Sequence, residues 1–385
     1  MGTSGMPEQG LVGEKDQRAA ALDASARMRS ALAGFEPYDP AFTPCRVNLS
    51  ANENTHELPA PVRAAISEAL LATPLNRYPD PMANALRDEL AAWHGVSRAN
   101  VCVGNGGDEL LFNLLFAFGG PGRALVTCPP DFAEYANFAA QTETPLRQVW
   151  RRAGDFSLDE DALVAAARTA VLVILTSPNN PTGDLVDPGV VRRLLAETDA
   201  LVLVDEAYVE FAGDPARLGA DKSLVPWVAT EPRLMVLRTL SKAFGLAGVR
   251  AGYLVADPAV VGALAAVRQI YSEDVLAQAV GAAAVRQRGE LVGVVADIVA
   301  ERERLRGRLA GIEGVTVWPS NANFLLVRVP HAAEVRRRLR DEHSVLVRDF
   351  SAAPGLDGCL RISVGTREEN DVLLAALADV MGEMA

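Results

Sequence analysis

The feature that most constrains the fold of this chain is a series of short apolar segments that alternate with helical patterns. Six segments rich in Val, Leu and Ile occur at residues 101–103, 124–128, 171–176, 201–204, 234–239 and 252–256. Helical patterns lie between several of them, for example over residues 109–118 and 188–197. Strands separated by helices are typical of a mainly parallel sheet that is covered on both faces. We therefore predict an α/β fold with a mainly parallel, doubly covered sheet.

The pattern changes after residue 271, and this change predicts a second domain. A long helical region is followed by the strand-like segments TVW, NFLLVRV, VLVR and LRISV, with one helix among them and another at the end. We predict a large domain over residues 58–274 and a smaller α+β domain over residues 275–385. Residues 1–57 would form a tail and an arm, part of which joins the smaller domain.

The charge balance restricts the partners of this chain. Its 37 basic and 49 acidic residues give a net charge of −12, which argues against nucleic acid or an anionic membrane as a partner. No apolar run approaches the ~20 residues that a membrane helix needs, and the polar first 20 residues are unlike an export signal. The four cysteines are far apart and form no CxxC pair, so we expect reduced thiols, as is usual in cytosolic proteins. We predict a cytoplasmic protein.

Four of the predicted strands end in polar motifs. The motif GNGGDE follows residues 101–103, SPNNPTG follows 171–176, DEAY follows 201–204, and LSKAFGLAG follows 234–239. Ligands of open α/β sheets bind beyond the carboxyl ends of the strands, so we expect one site where these motifs meet. It would combine an aspartate, a tyrosine, a lysine and a glycine-rich turn.

Several common chemistries do not fit the motifs. GNGGDE lacks the third glycine of a dinucleotide fingerprint, and the sequence has no GxxxxGK[ST], HExxH or GxSxG motif. Four histidines and four dispersed cysteines offer no metal cluster, so we predict no metal site.

In their order along the chain, the motifs resemble those of the fold-type-I pyridoxal-phosphate-dependent aminotransferases of class I/II. GNGGDE, SPNNPTG, VDEAY, LRTLSKAFGLAGVRAGY and LRISVGTREEN carry the likeness, which covers roughly residues 36–385. Within this group, the PYDP and NLSANEN segments and the string RTLSKAFGLAGVRAGY resemble the histidinol-phosphate aminotransferases. The resemblance implies an enzyme that uses pyridoxal 5'-phosphate.

The resemblance assigns the catalytic roles to residues at the strand ends. Lys242 would bind the cofactor covalently and then move a proton at the substrate. Asp205 would pair with the protonated ring nitrogen of the cofactor, which keeps the ring an electron acceptor. Tyr208 and the Asn180 amide would donate hydrogen bonds to the ring oxygen.

The cofactor phosphate would lie at the start of the helix that follows GNGGDE. The backbone N–H groups of Gly106, Gly107 and Asp108 would face it, at the positive end of the helix dipole. Ser241 and Arg250 would complete this site with a hydroxyl and a guanidinium group.

Two further aromatic residues have implied roles. Phe132 would stack on the cofactor ring. Tyr78 would reach the phosphate of the neighbouring subunit, which implies an obligate homodimer with shared active sites.

Four residues would bind substrate by the same resemblance: Tyr38, Asn52, Arg348 and Arg361. A forked guanidinium group suits a phosphate or a carboxylate. The implied reaction transfers the amino group of L-histidinol phosphate to 2-oxoglutarate and gives imidazole-acetol phosphate and L-glutamate.

Two segments depart from the family pattern and leave the substrate open. The segment YSEDV at 271–275, with Glu273 and Asp274, replaces a stretch that is uncharged and contains Asn in the family, and the segment with Thr55 and His56 replaces a Pro-Tyr-Gly sequence. An aromatic amino acid aminotransferase and a decarboxylase of a phosphorylated amino acid remain alternatives. A cofactor-binding regulator is disfavoured, because residues 1–35 are too short for a DNA-binding module and carry no excess of basic residues.

Overall fold

The computed structural model describes residues 27–32, 35 and 43–384 of the chain. Within these residues the strands are β1 (Val47–Leu49), β2 (Val101–Asn105), β3 (Leu125–Thr127), β4 (Leu146–Gln148), β5 (Leu172–Thr176), β6 (Leu201–Asp205), β7 (Leu234–Thr239), β8 (Ala251–Val255), β9 (Thr316–Val317), β10 (Phe324–Arg328), β11 (Val345–Asp349) and β12 (Cys359–Ser363). The α-helices are α1 (Ala60–Ala72), α2 (Asn84–His94), α3 (Gly106–Phe118), α4 (Glu134–Gln141), α5 (Glu160–Ala167), α6 (Pro188–Glu197), α7 (Pro258–Val267), α8 (Val275–Arg286), α9 (Val292–Leu309), α10 (Ala332–His343) and α11 (Arg367–Met384).

A seven-stranded sheet forms the larger core, in the order β2-β8-β7-β6-β5-β3-β4. Strands β3 to β7 pair in parallel, and β8 is antiparallel to both of its neighbours. All six apolar segments predicted as strands lie in this sheet. The prediction of a mainly parallel sheet is therefore confirmed.

Both faces of this sheet are buried. In β6, Val202 and Val204 belong to one apolar cluster, whereas Leu203 between them belongs to another. Successive side chains of a strand point to opposite faces, so the two clusters lie on opposite sides of the sheet. The double cover expected from the apolar strand segments is confirmed.

A second sheet contains five strands in the order β1-β11-β12-β10-β9. β1 pairs with β11 in parallel, and the other pairs are antiparallel. Helices α9, α10 and α11 contribute apolar residues such as Leu305, Leu339 and Leu377 to its core. Helix α8 instead contributes Val280 and Ala284 to a core of the seven-stranded sheet. The domain limits at residues 57/58 and 274/275 stay a prediction.

Within the described part of the chain, every helix is too short or too polar to cross a membrane.

Candidate active site

A pocket lies at the carboxyl ends of β5, β6 and β7, where the polar motifs meet. It encloses about 690 Å³ of free space, part of which is open to solvent. Nine residues predicted for the site line it: Gly107, Asp108, Phe132, Asn180, Asp205, Tyr208, Ser241, Lys242 and Arg250. These residues meet as expected, because the carboxyl ends of parallel strands share one edge of a sheet.

Asp205 is the last residue of β6, and its carboxylate is almost completely buried. Its Oδ1 accepts a hydrogen bond from the Ala207 N–H at 3.0 Å, and its Oδ2 accepts one from the Tyr135 hydroxyl at 2.6 Å. Burial raises the pKa of Asp205 to about 6, against the lowering effect of these two hydrogen bonds. A carboxylate held at this cost is suited to a cationic partner.

Lys242 follows β7 and is half-buried at the pocket. Its Nζ donates a hydrogen bond to the Ala51 carbonyl at 3.1 Å and lies 5.7 Å from the centroid of the Tyr208 ring. It shares the pocket with Asp205. The amine and the carboxylate can therefore act on one ligand between them.

Tyr208 is buried, and its hydroxyl has a defined partner. The Asn52 side-chain amide donates to it at 3.0 Å. Asn52 has a left-handed backbone (φ 55°), held by a hydrogen bond from its N–H to the Ser363 hydroxyl and by one from the Asn323 amide to its carbonyl. The structure thus places Asn52, which was predicted to bind substrate, against the Tyr208 phenol.

The start of helix α3 is a turn whose N–H groups suit an anion. The first N–H groups of a helix have no partner within the helix, and here they belong to Gly106, Gly107 and Asp108. A Cβ atom on Gly252 would lie 2.6 Å from the Gly107 nitrogen, so only glycine allows β8 to approach this turn so closely. The Arg250 guanidinium group closes the turn and donates to Asp108 Oδ2 at 3.1 Å.

Ser241 is buried beside this turn at the pocket. Its hydroxyl accepts a hydrogen bond from the Thr239 hydroxyl at 3.0 Å. The Ser241 hydroxyl hydrogen therefore remains available to a ligand in the pocket.

Arg361 is buried in β12 and is linked to the pocket through Asn180. It donates to the Asn180 side-chain oxygen at 2.6 Å and to the Ser50 carbonyl at 2.7 Å. Because the Asn180 oxygen accepts from Arg361, its NH₂ group is left to donate elsewhere.

Arg348 of β11 lies opposite Arg361 in the antiparallel register. Residues directly opposite each other on such strands share a face, so the two guanidinium-bearing side chains start from neighbouring positions. Within residues 43–384 the Arg348 side chain makes no hydrogen bond or ion pair.

Gly106 and Arg348 do not line the pocket, and two further predicted residues lie away from it or outside the described part. Tyr78 does not line the pocket of its own chain; its ring is 82% exposed and stacks on Tyr271, with centroids 4.7 Å apart. Tyr38, predicted to bind substrate, lies outside the described residues.

The segment that departs from the family pattern contains a buried acid. Glu273 is 3% exposed, and neither carboxylate oxygen has a hydrogen-bond partner within the described structure. Burial, with the nearby charge of Glu109, raises the pKa of Glu273 to about 9. Asp274 has a structural role, because its side chain accepts hydrogen bonds from the Leu276 and Ala277 N–H groups and caps α8.

The second segment that departs from the family pattern, with Thr55 and His56, is held by hydrogen bonds. The Thr55 hydroxyl donates to Glu369 at 2.5 Å, and the His56 N–H donates to the Asn54 side chain at 3.0 Å. Both contacts lie within the protein, and neither residue lines the pocket.

Sequence reasoning missed Tyr135 and Thr176. Tyr135 lies on α4, and its hydroxyl is 2.9 Å from the Thr176 hydroxyl as well as 2.6 Å from Asp205. Tyr135 lies three residues after Phe132, but no local pattern showed that it would face Asp205. Thr176 could have been found as the last residue of β5, in register with Asp205 on β6.

Comparison with known proteins assigns this chain to a class. The family model for aminotransferase class I and II matches residues 46–377. The chain therefore belongs to the class I and II aminotransferases.

Individual relatives of this chain carry a more specific name than that of the class. Histidinol-phosphate aminotransferase of Caldanaerobacter subterraneus subsp. tengcongensis is 36% identical over 359 residues, covering 92% of this chain and 98% of the relative. The enzyme of the same name from Nocardia farcinica is 40% identical over 359 residues and covers 90% of each chain. The solved structure of histidinol-phosphate aminotransferase from Sinorhizobium meliloti in complex with pyridoxal-5'-phosphate matches with a TM-score of 0.83 and 28% identity. That match covers 94% of this chain and 99% of the other.

Proposed function

We propose that this aminotransferase uses pyridoxal 5'-phosphate to transfer the amino group of L-histidinol phosphate to 2-oxoglutarate. The products would be imidazole-acetol phosphate and L-glutamate. The observation that carries the proposal is the pair Arg348 and Arg361, opposed on β11 and β12, with Arg361 bonded to Asn180 in the pocket. The similarity to relatives named histidinol-phosphate aminotransferase supports the same substrate.

The pocket fits the cofactor in its charges and donors. Free N–H groups at the start of α3, the Ser241 hydroxyl and the Arg250 guanidinium suit a phosphate. The buried carboxylate of Asp205 suits a protonated ring nitrogen, because a cation offsets the cost of its burial. The half-buried Lys242 amine suits covalent attachment to an aldehyde.

When bound, pyridoxal phosphate supplies an aldehyde that accepts the donor's amino group and a ring that stabilises negative charge at the donor's Cα. Lys242 would first hold the cofactor and, once released by the donor, take the Cα proton with its amine. The Ala51 carbonyl, 3.1 Å from Nζ, would orient this amine.

Three side chains would hold the ring of the cofactor. Asp205 would keep the ring nitrogen protonated. Tyr208 would donate its phenol to the ring oxygen, since the Asn52 amide already occupies one acceptor position of that phenol and fixes its direction. Asn180 would donate its NH₂ group to the same oxygen, because its carbonyl oxygen is held by Arg361.

The arginine pair explains how one site can accept two different anions. Histidinol phosphate has a phosphate and no carboxylate, whereas glutamate and 2-oxoglutarate have two carboxylates. Arg361 would bind an anionic group in both half-reactions, and Arg348 would act mainly on the phosphate.

We also propose a homodimer with shared active sites. Five exposed apolar side chains support it: Leu71, Leu75, Tyr78, Ile270 and Tyr271. Leu71 and Leu75 precede Tyr78 in the chain, Ile270 precedes Tyr271, and the rings of Tyr78 and Tyr271 are stacked. Exposed apolar groups in two segments that meet in this way are typical of an interaction surface. Tyr78, stacked on Tyr271 at this surface, would reach the cofactor phosphate bound by the partner subunit.

The four free cysteines fit a cytoplasmic enzyme.

A panel of amino donors tests the substrate. Purified enzyme with pyridoxal phosphate is given histidinol phosphate, phenylalanine or phosphothreonine, each with and without 2-oxoglutarate. We expect the highest kcat/KM for histidinol phosphate, with turnover only when 2-oxoglutarate is present. A preference for phenylalanine would make the enzyme an aromatic aminotransferase. Carbon dioxide release from phosphothreonine without a keto acid would make it a decarboxylase.

A further inference from the structure

Tyr135 is a buried tyrosine to which neither the sequence motifs nor the proposed function gives a role. It lies on α4 and is 1% exposed, behind the pocket. Its hydroxyl is 2.6 Å from Asp205 Oδ2 and 2.9 Å from the Thr176 hydroxyl. A buried hydroxyl with two partners on neighbouring strands is held in a fixed position.

The direction of these hydrogen bonds follows from the acceptor. An ionised carboxylate only accepts, so the Tyr135 hydroxyl must donate to Asp205. Its one hydrogen is then used, and the Tyr135 oxygen accepts from the Thr176 hydroxyl. The result is a chain of donors from Thr176 through Tyr135 to Asp205.

The register of the sheet makes this chain possible. Thr176 and Asp205 are paired residues at the carboxyl ends of the parallel strands β5 and β6. Tyr135 bridges them from the side of α4, while the Ala207 N–H binds the other oxygen, Oδ1. With one donor on each oxygen, the carboxylate is restrained from rotating about its χ2 angle.

Tyr135 also contacts the aromatic residue of the pocket. Its ring meets Phe132 edge to face, with centroids 5.5 Å apart and planes at 86°. One side chain therefore supports both the ring partner Phe132 and the carboxylate of Asp205.

We propose that Tyr135 is a positioning residue: its hydroxyl, backed by Thr176, keeps Asp205 ionised and aimed at the ring nitrogen of the cofactor. This inference rests on the proposed role of Asp205. The electrostatics agree with it, since the Tyr135 hydrogen bond lowers the pKa of Asp205 against the effect of burial. Burial, together with the charge of Asp205, raises the pKa of Tyr135 well above its usual value, so the hydroxyl remains a donor.

The test uses Tyr135→Phe, which removes the hydroxyl and keeps the ring. Without this donor the Asp205 carboxyl becomes more basic and draws the shared proton from the ring nitrogen. In the enzyme loaded with ¹⁵N-labelled pyridoxal phosphate, we expect the ¹⁵N signal to move toward that of the deprotonated ring. We expect kcat to fall about tenfold or more, as for a lost hydrogen bond to a charged group. Thr176→Val should change both in the same direction by less.

Tyr253→Phe is the matched control. Tyr253, on β8 of the seven-stranded sheet, is as buried as Tyr135, and its hydroxyl bonds to His94 at 2.9 Å, outside the pocket. Its loss should affect stability and leave the ¹⁵N signal unchanged. If Tyr135→Phe behaves like this control, with an unchanged ¹⁵N signal and kcat, the inference about Tyr135 is overturned. Normal turnover in Asp205→Asn would instead overturn the proposed role of Asp205, so the two failures are distinguishable.

Discussion

Asp205→Asn should make the apoprotein more stable while it makes the enzyme inactive. Burial raises the pKa of this carboxyl from its usual 3.8 to about 6 in the folded protein. The unfolded chain therefore ionises first, and the wild-type protein loses stability as the pH rises from about 4 to about 6. The asparagine variant has no such charge to bury.

The difference between the two pKa values sets the magnitude. At about 1.4 kcal/mol per pKa unit, an ionised Asp205 costs the apoprotein about 3 kcal/mol above pH 6. The variant should gain up to this amount at pH 7.5 and nothing below pH 4. Its turnover should fall a hundredfold or more, because an amide cannot keep the ring nitrogen protonated.

Urea unfolding of the apoprotein between pH 4 and pH 8, at one protomer concentration, measures the stability. Asp199→Asn, at an exposed position, is the matched control and should change neither stability nor turnover. An Asp205→Asn apoprotein less stable than wild type at pH 7.5 would show that the carboxylate is not held at a cost. Near-normal turnover of the loaded variant would show that Asp205 does not pair with the ring nitrogen.

The other predictions concern the attachment of the cofactor, the binding of substrate anions, the buried acid Glu273, and the close approach of β8 to the start of α3. Lys242→Ala should leave no cofactor bound to protein after borohydride reduction, as measured by mass spectrometry. Arg361→Ala should weaken both half-reactions, whereas Arg348→Ala should lower kcat/KM for histidinol phosphate about 10- to 150-fold and for glutamate less, in single-turnover absorbance measurements. Glu273→Gln should raise the free energy of unfolding by up to about 4 kcal/mol at pH 7.5 and leave it unchanged near pH 4. Because the pKa of Glu273 is raised from 4.5 to about 9 in the folded protein, the wild-type protein loses stability as the pH rises above 4.5. Gly252→Ala should weaken cofactor binding tenfold or more in a fluorescence titration, because its Cβ would collide with the turn at the start of α3.

Matched controls exist for three of these predictions. Lys222→Ala removes an exposed lysine outside the pocket and should keep the adduct. Gly262→Ala adds a methyl group that meets no atom within 4 Å, and it should bind cofactor normally. Arg308→Ala, on the exposed face of α9, should alter neither half-reaction. An adduct on another lysine, equal losses for both donors in Arg348→Ala, a pH-independent effect of Glu273→Gln or normal cofactor binding by Gly252→Ala would each contradict its prediction.

Much of the fold could be predicted because it is encoded locally. The six apolar segments became strands of one sheet, and the helices predicted at 109–118 and 188–197 correspond to α3 and α6. The short strands β1 and β4 were not predicted, because their sequences VNL and LRQ contain polar residues and form no apolar run. The position of β8 between β2 and β7 was also not predictable, because strand order depends on pairing between distant segments.

The sequence by itself determined which residues would gather at the site. Asp205 ends a buried strand, Lys242 and Asn180 each follow one, and parallel strands bring their carboxyl ends to one edge. Only the tertiary structure decided what those residues contact. Tyr135 meets Asp205 across 70 positions, and Arg361 meets Asn180 across 181. Such contacts depend on how helices and a second sheet pack around the pocket, and the periodicity of neighbouring residues contains no information about that packing.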